Sequence, residues 1–151
     1  MNIDPYLARF RTPPYRHQTA GVELLVNNTF FGLFDEQGVG KTKQVVDAAC
    51  ILSEEGLIDA VLVVSPAEVR SVWADENAEL GEVRKHSWVP SRVLEFHSKS
   101  RIIWQDETPR LDFIITNYEY LRNKEHRERL KAMLRERRTL MVLDESSFVK
   151  S

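Results

Sequence analysis

Cysteine is nearly absent from this chain: Cys50 stands alone among 151 residues. A disulfide framework is therefore excluded, and a reducing compartment fits best. No apolar run is long enough to cross a bilayer, so no membrane role is expected. The opening Met1-Asn2-Ile3-Asp4-Pro5 has neither the basic start nor the apolar stretch of an export signal. Charge of one sign is also lacking. The net charge of −2 excludes a general positive field, so contact with nucleic acid would need a local basic stripe or another domain. Internal repeats, low-complexity segments and glycine-serine linkers are missing too. What is present is ordinary: 42% hydrophobic and 29% charged residues, at a length that suits one domain.

From about residue 30 onward, short apolar runs alternate with longer amphipathic stretches, the pattern of an α/β fold with a mostly parallel sheet flanked by helices. Strands are predicted at 30–34, 60–65, 93–96, 112–116 and 139–143, most of them continuous apolar runs as buried parallel strands should be. A helix at 43–53 is apolar nearly all round, and Glu54-Glu55-Gly56 supplies its stop. Cys50 falls inside it and is expected as a buried, inert thiol. A second helix is predicted at 67–80, after Pro66. A third, at 123–137, turns Leu130, Met133 and Leu134 inward and Lys124, Arg127, Lys131 and Arg138 outward. Those cations read as a solvated face. The first 29 residues are irregular and aromatic, a packed lead-in to a domain spanning 30–151.

Asp35-Glu36-Gln37-Gly38-Val39-Gly40-Lys41-Thr42 follows the first predicted strand and precedes a helix, the setting a P-loop requires. Gly38 and Gly40 let backbone N–H groups and the helix N-terminus approach phosphate oxygens. The phosphate-binding set is read as Gln37, Gly38, Val39, Gly40, Lys41, Thr42 and Lys43. Lys41 brings a point charge to the β- and γ-phosphates, and Thr42 offers a hydroxyl to Mg²⁺. The general motif asks for glycine where this chain has Asp35. Far downstream, Leu140-Met141-Val142-Leu143 runs into Asp144-Glu145, an apolar strand ending in paired carboxylates like a Walker B strand. Asp144 is assigned to the metal and Glu145 to the attacking water. Lys41, Asp144 and Glu145 are thus the catalytic candidates, Thr42 and Asp144 the metal ligands, and ATP with Mg²⁺ the cofactors.

Taken together, these segments resemble the Swi/Snf-like ATPases of helicase superfamily two, which include chromatin remodellers and bacterial and bacteriophage relatives. The loop at 35–42 is similar to that family's Asp-Glu-x-Gly-x-Gly-Lys-Thr, which accounts for Asp35. Pro14-Tyr15-Arg16-His17-Gln18-Thr19-Ala20-Gly21-Val22 resembles its adenine-recognition segment. The resemblance assigns Gln18 to the base edge through its amide. Tyr15 and Arg16 become candidates to pack on adenine or ribose, with Tyr15 equally a candidate core aromatic. Val63-Val64-Ser65-Pro66 with Trp73 and Glu76 resembles motif Ia, and Ile114-Ile115-Thr116-Asn117-Tyr118-Glu119 resembles motif Ib. In the family these line the nucleic-acid track. Asp144-Glu145-Ser146-Ser147-Phe148-Val149-Lys150 resembles motif II, with Ser147 where the best-known members carry histidine.

The resemblance implies a RecA-like, N-terminal P-loop lobe that stops after motif II, partial at 30–151, with 1–29 as its adenine-recognition lead-in. In such sheets the motif III strand lies between the P-loop strand and the motif II strand, so a gap is expected there. The partners implied are double-stranded DNA and a second RecA-like lobe, in cis in a longer product or in trans. Without that lobe's arginine finger, hydrolysis is expected to be weak or absent, lower by roughly a thousandfold or more. The compartment would be the cytoplasm of a bacterium or phage-infected cell, or the nucleus in a eukaryote. Two other functions stay open: a nucleotide-binding or regulatory fragment without turnover, and a lobe of a DEAD-box-like RNA helicase.

Overall fold

Two runs are buried from end to end, Ala60–Ser65 (β2) and Leu111–Asn117 (β4), as expected of strands covered on both faces. They pair with each other in parallel, from Ala60 against Asp112 to Ser65 against Asn117. Around them the computed structural model builds a five-stranded sheet in the order β1-β5-β2-β4-β3. Here β1 is Phe31–Phe34, β3 is Ser91–Glu95 and β5 is Thr139–Asp144. Every pairing is parallel. The structure describes residues 2–11, 22, 31–34, 41–67, 73, 81–96 and 111–144, with 31–34, 41, 82 and 84 described by their backbone.

The period of two sends successive side chains to opposite faces and so divides the core. One face carries Val61, Val63, Phe113, Ile115, Leu140 and Val142, and packs against helix α1, Lys41–Glu54. Val45, Val46, Ala48, Ala49, Ile51 and Leu52 of α1 are all buried, so the all-round apolar pattern is realised as a deeply seated helix. Cys50 is buried with them, and burial raises its thiol pKa, in keeping with an inert role. The stop after α1 is a Schellman motif. Gly56, at φ 73°, donates to Ser53 O at 3.0 Å, and Leu57 donates to Leu52 O at 2.9 Å.

The opposite face carries Ala60, Leu62, Val64 and Ile114 and packs against α4, Lys124–Leu134. Asn123 caps α4, its side-chain oxygen accepting from the Glu125 and His126 amides at 2.8 and 3.3 Å. Leu130 is buried, with Met133 and Leu134 partly so, while Lys124, Arg127, Lys131 and Arg138 are exposed as expected. Two short helices complete the described elements: α2, Glu82–His86, and α3, Tyr118–Leu121. A 3-10 turn at Asp4–Arg9 lies in the lead-in. Ile3 and Phe10 from that segment are buried in the α1-side core, and Arg9 pairs with Glu54 at 3.2 Å.

One expectation needs correction. A gap was expected between the P-loop strand and the motif II strand, yet β1 and β5 are hydrogen-bonded neighbours, Phe31 opposite Met141 and Phe34 opposite Asp144. The physical reason is that unpaired backbone N–H and C=O groups are costly, so the two strands satisfy each other directly. The predicted helix at 67–80 falls almost wholly outside the described residues.

Candidate functional site

In a parallel sheet every strand ends at the same edge, and ligands of α/β folds bind at that carboxyl edge. Three features meet there. β1 ends at Phe34, α1 runs from Lys41, and β5 ends at Asp144 in register with Phe34. The first predicted strand, the helix that follows it in sequence and the acidic strand are therefore present, with the two strands side by side. The loop residues Gln37, Gly38, Val39 and Gly40 lie outside the described residues, as do Tyr15, Arg16, Gln18 and Glu145. Of Lys41 only the backbone is described, at the first position of α1.

Among the described site residues, Thr42 is half-buried in the first turn of α1. α1 has fourteen residues, and the positive end of its dipole lies on the Lys41 side. Lys43 is turned inward. Its ammonium pairs with Asp47 one turn along and sits 4.8 Å from the centre of the Phe10 ring. Lys43 is 5% exposed and Asp47 1%. Burial pushes the Asp47 carboxyl up to about 6, against the opposing pull of its Lys43 hydrogen bond. The Lys43 side chain is thus committed within the fold.

Asp144 is half-buried and held from two sides. The indole Nε1 of Trp73 donates to its Oδ2 at 3.0 Å, and the hydroxyl of Tyr118 donates to its backbone carbonyl at 2.9 Å. These contacts were not read from the sequence, because they join residues 71 and 26 positions apart. Trp73 and Tyr118 belong to the segments resembling motifs Ia and Ib, so those segments converge on the acidic strand.

Three described side chains of these segments are buried. Trp73 is 1% exposed, and Ser65 and Thr116 are fully buried. Thr116 instead donates to Phe96 O at 3.0 Å, and Asn117 caps α3 by accepting from the Tyr120 amide at 2.7 Å. A strand end packing under an aromatic residue explains these positions without DNA. Glu76 lies outside the described residues.

The donor set fits Mg²⁺. A threonine hydroxyl and a strand-end carboxylate are hard oxygen ligands, and Mg²⁺ is commonly held by one or two carboxylates together with substrate phosphates. No helix among the described residues is long and apolar enough to cross a membrane.

Comparison with known proteins agrees with this arrangement. The SNF2-related domain matches residues 17–151. The chain is 34% identical over 79 residues to the yeast Saccharomyces cerevisiae DNA repair and recombination protein RAD26, covering 52% of this chain and 7% of that protein. It is 30% identical over 131 residues to a Danio rerio DNA excision repair protein ERCC-6-like, covering 76% of this chain and 8% of the relative. A Mus musculus DNA excision repair protein ERCC-6-like is 27% identical over 119 residues, covering 72% and 9%. The chain therefore spans less than a tenth of the length of these relatives.

Proposed function

The chain belongs to the SNF2-related family, a RecA-like α/β lobe of the Swi/Snf type, and from that premise we propose that it binds Mg²⁺ and ATP at the carboxyl edge of its sheet. In a complete motor, with a second RecA-like lobe in cis or in trans, this lobe would couple ATP hydrolysis to movement along double-stranded DNA. The observation that carries the reading is the register of Phe34 with Asp144, which sets the P-loop strand beside the acidic strand. The relatives named for DNA repair support a DNA partner over RNA.

Within this reading, the backbone amides of 37–43 and the N-terminus of α1 cradle the phosphates, and Lys41 adds a full positive charge. Thr42 and Asp144 hold the metal, which when bound neutralises phosphate charge during transfer. Glu145 orients the attacking water, and Gln18 reads the adenine edge, with Tyr15 and Arg16 flanking base or ribose. The lead-in at 1–29 serves as the adenine-recognition segment. In the complete motor, an arginine from the second lobe would also stabilise the transferring phosphoryl group.

Titration of fluorescent ATP and GTP analogues against the chain, Lys41→Ala and Gln18→Ala tests the reading. ATP-selective binding is expected, lost with Lys41→Ala and stripped of base preference with Gln18→Ala. Equal binding of ATP and GTP, or binding indifferent to Lys41, would overturn the assignment.

A further inference from the structure

Trp73 is the largest fully buried side chain among the described residues, and its one polar atom is aimed at the carboxylate assigned to the metal. A buried indole N–H needs an acceptor, since leaving it unpaired costs about 1–3 kcal/mol. Asp144 Oδ2 is that acceptor at 3.0 Å. The backbone of the same residue is fixed independently. The β5 ladder to β2 ends at Leu143 against Val64, one residue short of Asp144. There the Tyr118 hydroxyl takes the Asp144 carbonyl at 2.9 Å. Tyr118 opens α3, which Asn117 caps, so its position follows from the end of β4.

We propose that Trp73 and Tyr118 are positioning residues for Asp144: Trp73 fixes the rotation of the carboxylate, and Tyr118 fixes the strand end that carries it. The inference rests on the proposed Mg²⁺-nucleotide site and extends it to two residues that touch neither ligand. A carboxylate at a strand end turns about two side-chain bonds, and a metal is bound tightly only if one oxygen faces it. A hydrogen bond to Oδ2 from a ring locked in the core directs the group at no motional cost at the moment of binding. The indole is a neutral donor, so it orients the carboxylate without contributing a positive charge that would compete with a cation, and the phenol, also neutral, acts on the backbone carbonyl. Outer partners of this kind govern metal affinity: removing one lowers it by about 10–100-fold.

The test separates metal affinity from nucleotide affinity and from stability. Mn²⁺ binding is followed by electron paramagnetic resonance with a non-hydrolysable ATP analogue present, and binding of the metal-free analogue is measured separately. Trp73→Phe keeps the apolar bulk and removes the donor. Mn²⁺ affinity is expected to fall by about 10–100-fold with metal-free nucleotide affinity unchanged. Tyr118→Phe is expected to act in the same direction by less. Wild-type Mn²⁺ affinity in Trp73→Phe overturns the inference, as does a parallel loss of both affinities, which would mark a merely structural role.

A second measurement uses the unaltered chain, in case Trp73→Phe fails to fold. Mn²⁺ with the analogue should broaden the indole N–H resonance of Trp73 well beyond that of Trp88. Equal broadening of the two overturns the inference. If the unaltered chain binds neither nucleotide nor Mn²⁺, the site reading itself fails and this inference falls with it. Normal binding by the unaltered chain with an indifferent Trp73→Phe sinks the positioning role alone.

Discussion

Asp112 and Asp144 sit near opposite ends of the same sheet and are treated in opposite ways. Asp112, near the start of β4, is fully buried between two guanidinium groups. Arg92 donates to both its oxygens at 2.8 and 3.2 Å, and Arg137 pairs with it as well. Asp144, at the far end of β5, is half-buried and held by an indole and a phenol. Two arginines compensate the charge of Asp112 and knit β3, β4 and the segment after α4 together. At Asp144 the indole of Trp73 is a neutral donor to the carboxylate and adds no positive charge of its own. The difference teaches two uses of a carboxylate in one sheet: paired guanidinium groups around Asp112 tie strands together, and an indole locked in the core sets the direction of Asp144 at a strand end.

Substitution should break this comparison most visibly at Asp112. Asp112→Ala removes the buried carboxylate that two partly buried arginines share, and about 3–5 kcal/mol of stability should be lost, read as a lower midpoint in urea. Asp144→Ala should cost far less stability while abolishing the metal dependence of nucleotide binding. A large destabilisation by Asp144→Ala and a small one by Asp112→Ala would reverse the contrast.

Asp47 sharpens the comparison, because it is buried like Asp112 but has one lysine in place of two arginines. Its pKa is raised from 3.8 to about 6 in the folded chain, with burial as the main cause. The sign follows: the folded state binds the proton more tightly than the unfolded state. This group's contribution to stability is therefore fully present below about pH 4 and is lost as pH rises through about 6. Unfolding free energies of the chain and of Asp47→Asn, compared between pH 5 and 7, should differ in slope, the variant lacking this part of the decline. Identical slopes would contradict it.

The smallest effect belongs to Gly56. Its φ of 73° is costly for other residues, although a Cβ there would meet nothing within 4 Å. Gly56→Ala should cost about 1 kcal/mol, from backbone strain alone. A melting temperature unchanged by this substitution would argue against the Schellman stop.

Much of the fold was legible because burial writes itself into apolar runs. All five strands lie where runs such as Ala60–Ser65 and the stretch ending in Leu143 place them, and the glycine after Glu55 marks the stop of α1. The short elements escaped. α3 has only four residues and depends on the Asn117 cap and on packing against its neighbours, which leave no periodic signal. The β1–β5 pairing escaped because strand adjacency is a tertiary property that no run of residues encodes. At the site, the acidic strand was readable as an apolar run ending in Asp144, whereas the hydrogen bonds of Trp73 and Tyr118 to Asp144 join residues far apart in the chain and leave no local signal. The Lys43–Asp47 pair stood in the sequence at helical spacing, but inside a stretch read as apolar all round.

The central claim is that the carboxyl edge of this sheet is an Mg²⁺-nucleotide site. Thermal unfolding with and without Mg²⁺ and a non-hydrolysable ATP analogue tests it most directly. Ligand at about a hundredfold over its Kd should add roughly 2.7 kcal/mol, a rise of several degrees in Tm, and Lys41→Ala should remove that rise. An unchanged Tm in a chain that melts cooperatively, or a rise that survives Lys41→Ala, would contradict the account.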